Sequence, residues 1–508
     1  MEKMKLEVKN GEISMGFEKV VKENDPVQIF IYIKELVDTK VLPEDILRQV
    51  DIYYYSALEE NHSFKEALTA MCFYEDLYKI FNLGRSNADN RVFDAYVNRV
   101  DRLYMNGDQM YNMRLSELPD HIFRLHRLKV LNLSKNLLKV LPEKIGNLWR
   151  LIELDLSDNP LTVLPQNIGQ LCRLKKLRIN GNRLSRLSES IENLKKLQEL
   201  DGSLNEMTEL PKNIWKLAQL LKLELAYNKL TFLPEGIGRL NHLRELDLGG
   251  NQLTVLPESI GNLLQLRKLD LHGNQFMMLP KSIYQLIYLE KLGLSSNQLT
   301  VLSEGINQLC QLKELDLSSN KLTILPEDIS QLHQLRELNL SANRLITLPK
   351  GIGRLQQLRN LDLKDNRLAI LPENMGELSQ LREIDLSDNQ LATLTESICC
   401  LTNLEKLELG SNRLTEVPKG ISQMQQLREL NLSDNRLTVL SESITKLKKL
   451  QILNLSGNRL KILPESIGQL QQLRVLNLSN NQLTTLPKSM RHLSHLEVVV
   501  LEGNEFIH

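Results

Sequence analysis

Aromatic side chains make up only 5% of the 508 residues, and nine of the twelve tyrosines fall at or before Tyr111. The chain therefore divides into two regions of different character. Net charge is absent: Lys+Arg and Asp+Glu both total 63. A generic binder of nucleic acid or of acidic membrane would show a basic excess, so neither is expected as a partner. The balance is uneven, however, because residues 1–100 hold 13 basic and 18 acidic residues, 13 − 18 = −5, leaving +5 for the remainder. No stretch approaches 18 uninterrupted apolar residues, so no membrane span is expected. The opening MEKMKLEVKNGEISMGF lacks the apolar core of a signal peptide. The five cysteines, Cys72, Cys172, Cys310, Cys399 and Cys400, form no paired framework. A reduced, cytoplasmic protein is the economical reading.

Motifs for chemistry are also missing. There is no G-x-x-x-x-G-K-[ST] loop to cradle phosphate, no H-E-x-x-H and no C-x-x-C. No cofactor and no catalytic residue is expected. His492 and His495 have the spacing of a metal pair but no third ligand, and a surface pair is the simpler reading. Cys399-Cys400 stands where other units have a Gly-x step and reads as a packing substitution.

What the chain has instead is a repeat. An Asn recurs every 23 residues from Asn136 to Asn504, seventeen times, without insertion or deletion. A typical unit is LRKLDLHGNQFMMLPKSIYQL, residues 266–286. Its Lys268-Leu269-Asp270-Leu271 stretch alternates with period 2, so it reads as a short strand with leucines inward and polar residues outward. The Asn ends the strand, and its amide can both donate to and accept from backbone groups of the turn. Pro, as at Pro257 and Pro280, blocks continuation. The P-x-x-I-x-x-L half then returns across a leucine core as a short helical or 3₁₀ turn. No unit buries its leucines alone, and only stacking does so. At about 4.8 Å per strand, seventeen units extend roughly 80 Å before curvature.

These in-phase units, running over about residues 105–508, resemble the leucine-rich repeat family. The 23-residue L-P-x-x-I-G-x-L form is similar to the intracellular class of bacterial cytosolic, plant Ras-group and animal Ras-pathway repeat proteins. The resemblance implies an α/β solenoid: a horseshoe with a parallel sheet on its concave face, where other proteins bind. With no nucleophile–base or metal constellation in the sequence, a non-catalytic protein-recognition scaffold acting in intracellular signalling is the expected function. Cysteine-rich caps, usual in extracellular members, are absent from the sequence.

Residues 1–100 lack the repeat and are expected to form a small helical capping domain, with helices near 27–37, 43–58, 63–82 and 89–104. Ser63 with Glu66 forms a capping-box pair, and Pro43 suits a first helical turn. Residues 101–127 read as a degenerate first repeat with Met113 at the Asn position, and residues 128–508 as the seventeen repeats. An alternative function is an unrecognised enzymatic or regulatory activity carried by residues 1–100.

The outward strand positions are the candidate partner site. One column holds Asp247, Asp270, Asp316, Asp362 and Asp385, and Arg244 and Arg267 stand just before the strands. Two readings remain open: a self-compensating charge lattice that keeps the sheet soluble, or an acidic surface that selects a basic partner. Near the end, Ile452, Val475, Val498 and Val500 replace polar residues in the outward columns. They are expected to form an apolar strip, with Val499 in the core, and two accounts of it remain open: a degenerate end sheltered by the last few residues, or a surface that binds a partner or a second copy of the chain edge to edge.

Overall fold

A computed structural model describes residues 101–107, 114–118 and 120–506. The helical domain expected over residues 1–100 and the Asn-position substitute Met113 lie outside the described residues. Eighteen three-residue strands form one sheet, from Arg102–Tyr104 and Val130–Asn132 through to Val498–Val500. Each strand pairs in parallel with the next in chain order, so Glu245 aligns with Lys268, Leu246 with Leu269 and Asp247 with Asp270. Between strands the chain returns through a 3₁₀ turn, such as Glu258–Asn262 and Lys281–Gln285. The expected return segment is thus 3₁₀, entered through an extended Pro such as Pro257 at φ −65°. Among the described residues no helix is long and apolar enough to cross a membrane.

The leucine pattern builds one continuous core. In the unit quoted above, Leu266, Leu269, Leu271, Phe276, Leu279, Ile283 and Leu286 are all at most 6% exposed. Each of these inward residues is covered by the units on both sides.

The repeating Asn joins neighbouring units. The Asn274 amide nitrogen donates to the carbonyls of Leu271 (3.1 Å) and His272 (3.2 Å) in its own turn and of Leu248 (2.9 Å) in the preceding unit. Its Oδ1 accepts from the Leu253 N–H at 3.0 Å. Every donor and acceptor of the side chain is used, and the same pattern recurs at Asn297. The residue before each Asn is left-handed, with φ between 50° and 71° from Lys135 to Gly503. Gly, Asp, Asn or Ser occupies most of these sites, as that conformation favours. Leu204 (φ 54°) and Tyr227 (φ 53°) are the bulky exceptions.

At the first unit the structure corrects the expected helix over 89–104, because Arg102–Tyr104 is a strand. Leu103 aligns with Leu131, 28 residues on rather than 23, so five extra residues hide this strand from the period. The ladder nonetheless reaches it: Asn136 donates to the Met105 carbonyl at 2.8 Å and accepts from Leu115 N–H at 2.8 Å.

Two substitutions probe this architecture. Leu271→Ala removes a fully buried side chain and is expected to cost about 2–5 kcal/mol. Asn274→Asp keeps the acceptor but loses the donors and places a charge against three carbonyls, so it should destabilise by at least about 1–3 kcal/mol. Urea unfolding measures both, and unchanged midpoints would contradict the stacking described.

Candidate functional site

Short strands place two outward side chains per unit on the inner sheet face. The first position is a lattice of long charged side chains that pair across units. Lys268 Nζ meets Glu245 at 3.3 Å, Lys291 meets Glu314 at 2.5 Å and Lys406 meets Glu429 at 3.5 Å. For these pairs the self-compensating reading holds, while Glu337 and Glu383 of the same column make no ion pair among the described residues.

The third position differs. Asp247, Asp270, Asp316, Asp362 and Asp385 are half-buried along the floor of a groove of 680 Å³. Among the described residues none of the five makes an ion pair with a Lys or Arg; Asp270 lies 2.8 Å from His272 Nδ1. Lysines reach the longer Glu224 (2.8 Å) and Glu408 (3.3 Å) at either end of the strip but not the shorter aspartates between. The charge left over is therefore concentrated at the centre of the sheet.

Each aspartate also closes the strand's exit turn. Its Oδ1 accepts from the N–H two residues on: Gly249 (2.9 Å), His272 (3.0 Å), Ser318 (2.9 Å), Lys364 (3.0 Å) and Ser387 (2.8 Å). Asn339, Asn431, Asn454 and Asn477 make the same bond at 3.0–3.1 Å. The turn is thus served equally by Asn and Asp, and the negative charge is not a requirement of the fold. Burial pushes the Asp247 carboxyl above its ordinary range, and the neighbouring Asp270 and Glu224 add to the rise. Asp362 is raised by burial too, with a further contribution from Asp385.

Arg244 and Arg267, expected beside the acids, do not line this groove. They stand at the strand entries, exposed, and Arg267 is held by Glu290 at 2.7 Å. A cluster that the sequence reading missed lies at the groove's edge. Tyr227 OH is 3.2 Å from His272 Nε2, whose Nδ1 is 2.8 Å from Asp270 Oδ1. The rings meet edge-on at 5.5 Å, although 45 residues separate them. They can meet because the intervening unit has Gly249-Gly250: a Cβ at Gly249 would lie 2.0 Å from the His272 ring and one at Gly250 2.6 Å from Tyr227. The Gly-Gly pair was the available signal. Asp247, Asp270 and His272 present ligand atoms within 4.8 Å of one another, the group best placed among the described residues to hold a metal ion. His495, by contrast, has Nδ1 2.8 Å from the Gln471 carbonyl. The Cys399 thiol is buried and its pKa is pushed up to about 12, chiefly by that burial, so it is a packing group.

Toward the last strand, Ile452, Val475 and Val498 align directly, with Ile452 37% and Val498 46% exposed. Val500 stands apart, in the neighbouring column after Asn454 and Asn477. Val499 points inward, as its register with Leu476 requires, yet it is 39% exposed rather than core. An inward residue is enclosed from two sides, and among the described residues Val499 has a stacked unit on one side.

The raised Asp247 pKa has a checkable consequence. Between its native pKa and the ordinary 3.8, the native state binds more protons than the unfolded one, so this group's contribution to stability falls as pH rises through that window. Asp247→Asn keeps the turn bond without the charge. We expect the variant to be at least as stable as the wild type at pH 7, and its advantage to shrink as pH falls toward 3.8. Paired urea titrations across pH measure this, and an advantage constant with pH would refute it.

Sequence profiles of the leucine-rich repeat region match residues 113–209, 163–254 and 234–347, and leucine-rich repeat profiles match 380–401, 402–460 and 461–506. A comparison with curated proteins returns no match. Among solved structures, a leucine-rich repeat protein of Leptospira interrogans is 36% identical, with 82% of this chain and 98% of that one covered and a TM-score of 0.69. The plant peptide hormone receptor RGFR1, solved in complex with RGF2, is 28% identical over 82% of this chain and 76% of that one, with a TM-score of 0.65. YopM of Yersinia enterocolitica is 26% identical over 88% and 97%, with a TM-score of 0.58. With the period, the Asn ladder and the parallel sheet in place, these matches show that the chain belongs to the leucine-rich repeat family.

Proposed function

We propose that this chain is a non-catalytic protein-recognition scaffold whose inner sheet face captures a basic segment of a partner protein. The observation that carries this is the strip of five aspartates in the 680 Å³ groove without a Lys or Arg partner among the described residues. Uncompensated charge in a concave, half-buried setting attracts an opposite charge and governs association rate and specificity more than raw affinity. The fold supports the reading, since leucine-rich repeat proteins are typically scaffolds, and the plant peptide hormone receptor RGFR1 is solved in complex with RGF2. The L-P-x-x-I-G-x-L form supports assignment to the intracellular 23-residue class, and with it a cytoplasmic place in signalling. No cofactor enters this reading.

The aligned Ile452, Val475 and Val498 extend the surface with an apolar contact. We assign it to partner binding or to self-association through this edge of the sheet, where an exposed apolar column costs solvation unless covered.

Reversing Asp247, Asp270 and Asp316 to Lys should slow association with a Lys- and Arg-rich peptide by about tenfold or more at low salt and flatten its salt dependence. Stopped-flow binding across ionic strength measures this, and unaltered kinetics would leave the groove without a role in capture. Val475→Glu with Val498→Glu tests the apolar column. We expect a change in assembly state by sedimentation or a loss of bound partners by pull-down, and wild-type behaviour in both would remove the column from the interface.

A further inference from the structure

Along the third strand position, every strand of the sheet carries a side chain except Lys291–Gly293, ninth of the eighteen. Gly293 aligns with Asp270 on one side and Asp316 on the other. The result is a slot at the middle of the groove, floored by backbone and walled by two carboxylates whose strands are about 10 Å apart. Asp270 leans toward it: a Cβ at Gly293 would lie 2.8 Å from Asp270 Oδ1. Both walls are held in place. Asp270 Oδ1 accepts from the His272 N–H and lies 2.8 Å from His272 Nδ1, and Asp316 Oδ1 accepts from the Ser318 N–H. The nearest cation on the same strand, Lys291, is engaged by Glu314 at 2.5 Å.

We propose that the slot over Gly293 receives an arginine of the partner, its guanidinium lying between Asp270 and Asp316. This deepens, and rests on, the reading that the inner face captures a basic segment. The shape of the slot selects among basic side chains. A guanidinium is planar and presents donors along more than one edge, so it can address carboxylates on opposite sides at once. An ammonium is a compact, strongly hydrated charge and would engage one wall at the expense of the other. Charge-assisted bonds in a half-buried groove are stronger and more directional than those at an open rim. The remaining acidic positions offer charge without this room, because side chains of the adjoining units fill the column beside them. Gly293 is thereby the specificity-determining position of the groove, and its central place in the sheet is where dominant binding contacts concentrate.

The test is selection of a displayed random peptide library on the full-length protein, followed by titration of the enriched peptides in solution. Enriched peptides should share an arginine, and replacing it with lysine should weaken binding by about tenfold or more. Gly293→Val should weaken binding to a similar degree. A strand accepts a β-branched residue readily, although the Asp270 carboxylate must give way, since the new Cβ would lie 2.8 Å from its Oδ1. Urea unfolding checks this, and should Val lower the midpoint, Gly293→Ala is read in its place. Peptides without arginine, or peptides that bind the Gly293 variants at wild-type strength, would overturn the proposal. If such peptides are still lost on Asp362→Lys with Asp385→Lys, the groove captures a basic segment and only the slot is wrong. If no peptide is enriched, or no inner-face substitution affects binding, both readings fall.

Discussion

The buried Asn amide holds this architecture together. A three-residue strand is too short to fix a turn, and the backbone leaving it runs immediately beneath the next unit. At Asn274, one side chain donates to three carbonyls and accepts one N–H, two of these four bonds reaching the preceding unit. Buried backbone groups left unpaired would each cost on the order of 1–3 kcal/mol. The ladder therefore makes each turn's conformation depend on its neighbour's. It also explains the left-handed residue before each Asn, which aims the amide back under the turn. The leucine core supplies the driving force for stacking, but leucines alone would tolerate sliding. The polar ladder sets the register.

That register has a consequence for function. Because units stack in phase, a residue type repeated every 23 positions becomes a column about 4.8 Å in spacing. At the first strand position, long side chains of both signs neutralise one another. At the third, aspartates bind their own turns and are too short to reach the lysines beside them. The same geometry thus produces a largely paired column and an unpaired one, side by side. The Asn residues that perform the turn's work elsewhere show that the charge is separable from the fold. Gly293 interrupts the charged column where its neighbours are both acidic, and Gly249-Gly250 lets Tyr227 cross to His272.

Much of this was legible in the residues. The period placed the strands, assigned Leu269 and Leu271 inward, and gave the Asn its double role. The acidic column was visible as well, but whether it was compensated was not, since lattice and binding surface share one sequence pattern. Arg244 and Arg267 looked like members of the site because they precede the strands by one residue; the chain enters from the rim, so they fall outside the groove. The helix expected to end at Tyr104 was wrong because five extra residues before Leu115 broke the period that betrays every other strand.

From the second strand on, the amino-acid sequence by itself determined the solenoid and nearly all of its core, because these follow from a local periodicity that there repeats without insertion or deletion. Only the tertiary structure decided which charges remain unpaired, that Tyr227 touches His272 across 45 residues, and that Val499 stays open to solvent despite pointing inward. The physical reason is reach. Pairing and burial depend on side-chain length against a fixed spacing between units and on whether a unit lies on each side, and neither quantity exists until the units are stacked.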